Sequence, residues 1–116
     1  FVPRNVTFIA ALALASGIFG LSGQGVHAEP ATEIHVTYAN GQFQPAGLSA
    51  PADKPLVIRV KNLDAKAMEF ESTSLRVEKV VPAKSEGVIN IRPLKHGRYE
   101  FYDDFNDKAR GVLNAQ

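Results

Sequence analysis

Three carboxylates fall within five positions, Asp103, Asp104 and Asp107, where a strand-like segment gives way to a turn. Upstream, Tyr99 and Phe101 are two apart and share one face of a strand, and continuing the alternation puts Asp103 on that same face. A carboxylate delivered to an apolar face is costly unless it pairs with a cation, accepts hydrogen bonds or binds a metal. An ordinary polar loop is the competing account, because Asp and Asn satisfy local backbone groups in turns. The other oxygen donors are Glu69, Glu71 and Glu78, and the softer donors are Met68, His35 and His96. Carboxylates suit iron, manganese, calcium or magnesium, whereas Met and His suit copper. The neighbours of His35 alternate cleanly, which makes it a solvated strand residue, and His96 reads as a turn residue. Met68 reads first as core.

Other chemistries find little support: paired carboxylates for hydrolysis are possible in principle, but an 88-residue domain leaves little room for a substrate cleft. The chain has no Cys, hence no thiolate nucleophile, ligand or disulfide. It has no Gly-x-Ser-x-Gly elbow and no glycine-rich phosphate loop before a helix.

Elements that could position the acids follow from alternation. Residues 33–38 read as a strand with Ile34, Val36 and Tyr38 inward, and residues 56–62 as one with Leu56, Ile58 and Val60 inward. Phe43 to Leu48 reads as one short irregular strand limited by Pro45. Residues 68–72 place Met68 and Phe70 inward and Glu69 and Glu71 outward. Strands are also expected over 75–81, 86–92 and 97–103. A truncated one over 111–113 is expected to offer an edge to another chain. No stretch after residue 28 keeps a helical period. Seven to eight short strands punctuated by turns predict an all-β domain, a β-sandwich or a small barrel.

Residues 6–21 form an apolar run preceded by Arg4, and Val26 and Ala28 give small residues at a cleavage site. This predicts a secretory signal peptide over 1–28 and a periplasmic domain over 29–116, an uncleaved anchor being the alternative. Removing 28 of the 116 residues leaves 88, enough for one small core. With Arg4 gone, the 13 basic residues become 12, against 12 acidic. That neutral balance argues against nucleic acid and anionic membrane as partners.

Asn62-x-Asp64 leading to Met68-Glu69-Phe70, Gly97-x-Tyr99-x-Phe101-Tyr102-Asp103, and Ala109-x-Gly111-Val112-Leu113 resemble the ligand segments of cupredoxins. Phe43-x-Pro45-x-x-Leu48 and the strand over 56–62 add to the likeness, which spans about residues 32–114. The resemblance implies a cupredoxin-like Greek-key β-sandwich. Glu69-Phe70-Glu71-Ser72, Leu75-x-x-Glu78-Lys79-Val80-Val81 and Asp103-Asp104-Phe105 are most similar to EfeO-type cupredoxin-like domains and to the small stand-alone member of Ftr-type iron-uptake systems. Carried over by position, Met68 stands at the first copper-ligating His and Asp103 at the Cys. Asn106 stands at or near the second His, and Ala109 at or near the axial Met. Type 1 blue copper needs thiolate and imidazole, and these positions supply neither.

What the resemblance then implies is a metal site of Glu69, Asp103, Met68, Asp104, Glu78 and Asp107 that binds iron, copper or both. The implied role is in ferrous iron uptake, assisting Fe(II) oxidation or delivering iron to a membrane permease or a periplasmic iron-binding protein. A non-enzymatic metal-binding protein is favoured over an oxidase acting alone. A homodimer sharing metal sites is compatible with acids on outer strand faces. The alternative is a metal-free cupredoxin-fold interaction module.

Overall fold

The computed structural model describes residues 30–116, so the expected signal peptide lies outside the described residues. These residues form nine strands in two sheets, and among them there is no helix. The strands are β1 (Thr32–Ala39), β2 (Gln42–Gln44), β3 (Gly47–Ala50), β4 (Leu56–Asn62), β5 (Met68–Ser72), β6 (Val77–Val81), β7 (Glu86–Ile91), β8 (Gly97–Asp103) and β9 (Asn106–Ala115). One sheet has the order β2-β1-β4-β7 and the other β3-β9-β8-β5-β6. The architecture is a β-sandwich.

Alternation decides which side chains meet between the sheets. Ile34, Val36 and Tyr38 of β1 and Leu56, Ile58 and Val60 of β4 point inward and are buried. Met68 and Phe70 of β5 and Phe101 of β8 meet them from the other sheet with no exposed surface. Phe43 packs edge-on to Tyr38, Phe70 and Phe101 at centroid separations of 5.1, 6.0 and 4.9 Å, and Phe70 stacks on Phe101 at 4.8 Å. Burying each such ring stabilises the fold by about 1.5–3 kcal/mol, so this aromatic group anchors the two sheets to each other.

Two features depart from the sequence expectation. The segment from Phe43 to Leu48 is not one strand. The Gln44–Pro45 peptide bond is cis, and the chain passes there from β2 in one sheet to β3 in the other. That division brings the strand number to nine. The last strand is neither short nor an edge: β9 runs for 10 residues between β3 and β8. Gly47 of β3 is paired with Val112, and Tyr99 of β8 with Leu113, so segment 111–113 has no free edge to offer. Gly111 permits this enclosure, because a Cβ there would lie 2.3 Å from the Phe101 ring and 2.8 Å from the Ala46 carbonyl oxygen.

The β8–β9 pairing is regular from Gly97↔Ala115 to Tyr102↔Arg110, then shifts to Asp103↔Asn106. Asp107, Lys108 and Ala109 fall between these two partners, which makes a bulge at the end of the hairpin. On the opposite side of β8, β5 pairs through Phe70↔Asp103 and Glu71↔Tyr102. The ladder continues one step further, with the Asp104 N–H donating to the Glu69 carbonyl at 2.9 Å. These pairings carry the acids of β5 and β8 to one end of the sandwich.

Candidate functional site

Asp103 ends β8 on its inner face, and only 2% of its surface is exposed. The Tyr38 hydroxyl of β1 donates to its Oδ2 at 2.5 Å. The backbone N–H groups of Glu69 and Phe105 each donate to its Oδ1 at 2.9 Å. Of the three ways to accommodate an inward carboxylate, acceptance of hydrogen bonds is the one seen. Tyr38 is held protonated by the same arrangement. Burial pushes its pKa up to about 12, with the Asp103 carboxylate acting in the same direction and a hydrogen bond from Asn106 opposing.

The Asn62-x-Asp64 motif secures the loops above this carboxylate. Asn62 is fully buried, and its amide donates to the Lys66, Val81 and Pro82 carbonyls at 2.8, 3.2 and 3.1 Å. Its Oδ1 accepts the Asp64 N–H at 3.0 Å. Asp64 in turn accepts the N–H groups of Asn40 and Gly41 at 2.7 and 3.0 Å, which hold its carboxyl below the usual range. Asn40 and Gly41 have φ values of 54° and 70° and form the left-handed turn between β1 and β2. A cavity of about 370 Å³ lies at this end, lined by Tyr38, Asp64, Lys66, Asp103, Phe105 and Asn106 among others.

The outer face of the same sheet has a different character. Glu69 and Glu71 alternate with the buried Met68 and Phe70 and so point away from the core, half-buried. Asp104, set beside Glu69 by the extended ladder, joins them. Each of the three offers an oxygen, and these oxygens lie within 4.8 Å of one another. Glu78 faces Glu71 across the β5–β6 pairing. Burial, and then the charges of Glu78, Asp104 and Glu71, hold the Glu69 carboxyl above its usual range. Tyr102, opposite Glu71, is raised by burial and by Glu71 and Asp104, while Arg110 opposes, its guanidinium 5.2 Å from the ring centroid.

The six residues expected to share one metal site therefore separate. Glu69, Asp104 and Glu78 come together on the outer face. Asp103 and Met68 are on the inner face, Met68 with no exposed surface. Asp103 touches Glu69 only through the latter's backbone N–H. Asp107 is exposed in the β9 bulge, outside the cluster. Glu71 is the member absent from the expected set. The signal for it was the two-residue spacing from Glu69, which puts both on one face. His35 and His96 are exposed, and His35 lies 3.4 Å from Glu33.

The chain matches the cupredoxin-like domain family over residues 8–115 and belongs to it. An uncharacterized protein of Rickettsia prowazekii (strain Madrid E) is 32% identical over 104 residues, 88% of this chain and 82% of that one. Among solved structures, the metal-binding domain of the Cu(I)-exporting P-type ATPase CopA of Streptococcus pneumoniae D39 superposes with a TM-score of 0.62 at 19% identity. That match covers 72% of this chain and 84% of the domain. Auracyanin A, a blue copper protein of Chloroflexus aurantiacus, gives a TM-score of 0.64 at 11% identity over 75% of this chain and all of its own. At these identities the structural likeness establishes the fold, an all-β cupredoxin sandwich, and that fold has copper-binding neighbours.

The positions that the resemblance assigns to cupredoxin copper ligands do not fit copper in this chain. Ala109 has no donor atom and Asn106 offers only a neutral amide. The Met68 thioether has no exposed surface, and both oxygens of Asp103 already accept hydrogen bonds. The set lacks thiolate and imidazole altogether.

Proposed function

We propose that this protein binds a hard cation, iron by preference, on the outer-face carboxylates Glu69, Glu71 and Asp104, with Glu78 alongside. The observation that carries the reading is the convergence of three carboxylate oxygens within 4.8 Å. Like charges this close repel, which adds to burial in raising the Glu69 carboxyl, and a bound cation would relieve that repulsion. An all-oxygen anionic set stabilises Fe(III) over Fe(II), which eases transfer of one electron from bound Fe(II) to an external acceptor such as dioxygen. The biological setting we propose is periplasmic iron uptake. There the protein binds iron, assists its oxidation and passes it to a permease or an iron-binding protein of the same system. The resemblance of the Glu69-Phe70-Glu71-Ser72 and Asp103-Asp104-Phe105 phrases to EfeO-type domains supports that setting.

The test is calorimetric titration of the protein with Fe(II), Cu(II) and Fe(III), the last as a soluble chelate, beside the Glu69→Gln/Asp104→Asn variant. Iron binding weakened about tenfold or more by the double substitution is the expected result. Equal affinity in both proteins places the metal elsewhere.

A second reading is favoured by a separate observation. Phe105, 57% exposed, and Leu63, 43% exposed, present apolar surface at the loop end of the sandwich, where Phe105 lines the cavity over Asp103. A metal-free role as a protein-docking module would use that end. Retention of the same periplasmic partner by protein stripped of metal is the outcome that selects it, and β9, being internal, is not the docking strand.

A further inference from the structure

Asp103 gathers donors from three separate segments: Tyr38 from β1, the Glu69 N–H at the start of β5, and the Phe105 N–H in the β8–β9 turn. Two of these segments are the ones that the cupredoxin resemblance puts around copper, since Glu69 follows Met68 and Phe105 precedes Asn106. The third, β1, carries the Tyr38 hydroxyl that closes the arrangement.

We propose that Asp103 is a built-in replacement for a metal ion at this end of the sandwich. Its carboxylate performs the tying that a coordinated metal would perform, and the same geometry keeps a cation out. The physical reasons are on both sides of the contact. Two N–H groups and one O–H converge on one small volume and present the positive ends of their dipoles to it. An anion is stable there and a cation is not, unless the donors turn away. Oδ1 accepts two of these bonds and Oδ2 the third, so ligation through Asp103 competes with donors held in place by β1 and β5. The Phe105 bond is local and shapes the turn. The Tyr38 and Glu69 bonds span 65 and 34 residues and fasten that turn to the two sheets.

Amide hydrogen exchange in metal-stripped protein tests this. The Glu69 and Phe105 N–H groups should be protected with no metal added. Asp103→Asn should speed their exchange about tenfold or more, since an amide both weakens the acceptor and opposes a donor with a donor. Should that variant fail to fold, Tyr38→Phe removes one bond at constant shape and should still speed both amides. A second arm uses Glu69→Gln/Glu71→Gln/Asp104→Asn, which lacks the outer carboxylates. Cu(II) added to it should leave the Tyr38 ring resonances unbroadened. Amides that are unprotected until metal is added, exchange rates unchanged in Tyr38→Phe, or Tyr38 signals broadened by Cu(II) in the triple variant would each overturn the proposal. Because that arm lacks the outer cluster, its outcome is independent of whether iron binds there.

Discussion

Asp103 and Asp104 are consecutive, chemically identical and oppositely placed. Asp103 turns inward, 2% exposed, and meets three hydrogen-bond donors. Asp104 turns outward and meets Glu69 and Glu71. The inner carboxylate is surrounded by groups that stabilise its charge, so it contributes to folding and has little left to offer a ligand. The outer carboxylate is surrounded by like charge, so it contributes nothing comparable to folding, and in the proposed function it is the one that meets the cation. The end of β8 and the turn after it thus carry a buried acid and an outward one side by side, and what distinguishes them is the donors or charges that the neighbouring segments supply.

Four measurements would break or sharpen this contrast. The largest effect is expected from Asp103→Ala, which leaves the Tyr38 hydroxyl and two N–H groups without their acceptor. A loss of about 3–5 kcal/mol in urea unfolding is expected, against little change for Asp104→Ala. Comparable losses for the two would erase the distinction. Tyr38→Phe removes one charge-assisted bond and should lower stability by about 1–2 kcal/mol.

Tyr38 also sets a pH signature. Its pKa in the folded state is about 12, above the ordinary value of 10.0. Above pH 10 the unfolded chain loses this proton while the folded protein retains it. The contribution is therefore complete below pH 10 and is lost as pH rises toward 12. Unfolding midpoints followed across that range should fall in the parent protein, and less steeply in Tyr38→Phe. The smallest effect on folding is expected from Glu69→Gln. Removing one of the crowded outer charges should leave the metal-free melting temperature unchanged or slightly raised, while weakening iron binding about tenfold. A clear drop in metal-free stability would mean that the outer acids, too, are structural.

Much of this arrangement is legible in the chain itself. The alternation of Ile34, Val36 and Tyr38, of Leu56, Ile58 and Val60, and of Met68 with Phe70 follows directly from burying one face of a strand, and the structure has each of these side chains buried. The same rule turned Asp103 inward and Glu69 and Glu71 outward. The phrases around Asn62, Met68, Asp103 and Gly111 pointed to the cupredoxin family. The β9 strand was hidden because Asp107 and Lys108, near its start, lie exposed in a bulge and break the alternation, which resumes only at the buried Ala109. The β2–β3 division was hidden because a change of sheet leaves no periodic mark on so short a segment.

By itself, the sequence determined that a carboxylate would face the core at the end of β8, since a two-residue period leaves it no other direction. Only the tertiary structure decided how that carboxylate is accommodated. The deciding group, the Tyr38 hydroxyl, is 65 residues away along the chain, and β1 and β8 lie in different sheets. The outer cluster divides in the same way. Strand period put Glu69 and Glu71 on one face, but the approach of Asp104 and Glu78 depends on cross-strand register, and register is a property of paired strands rather than of any one of them.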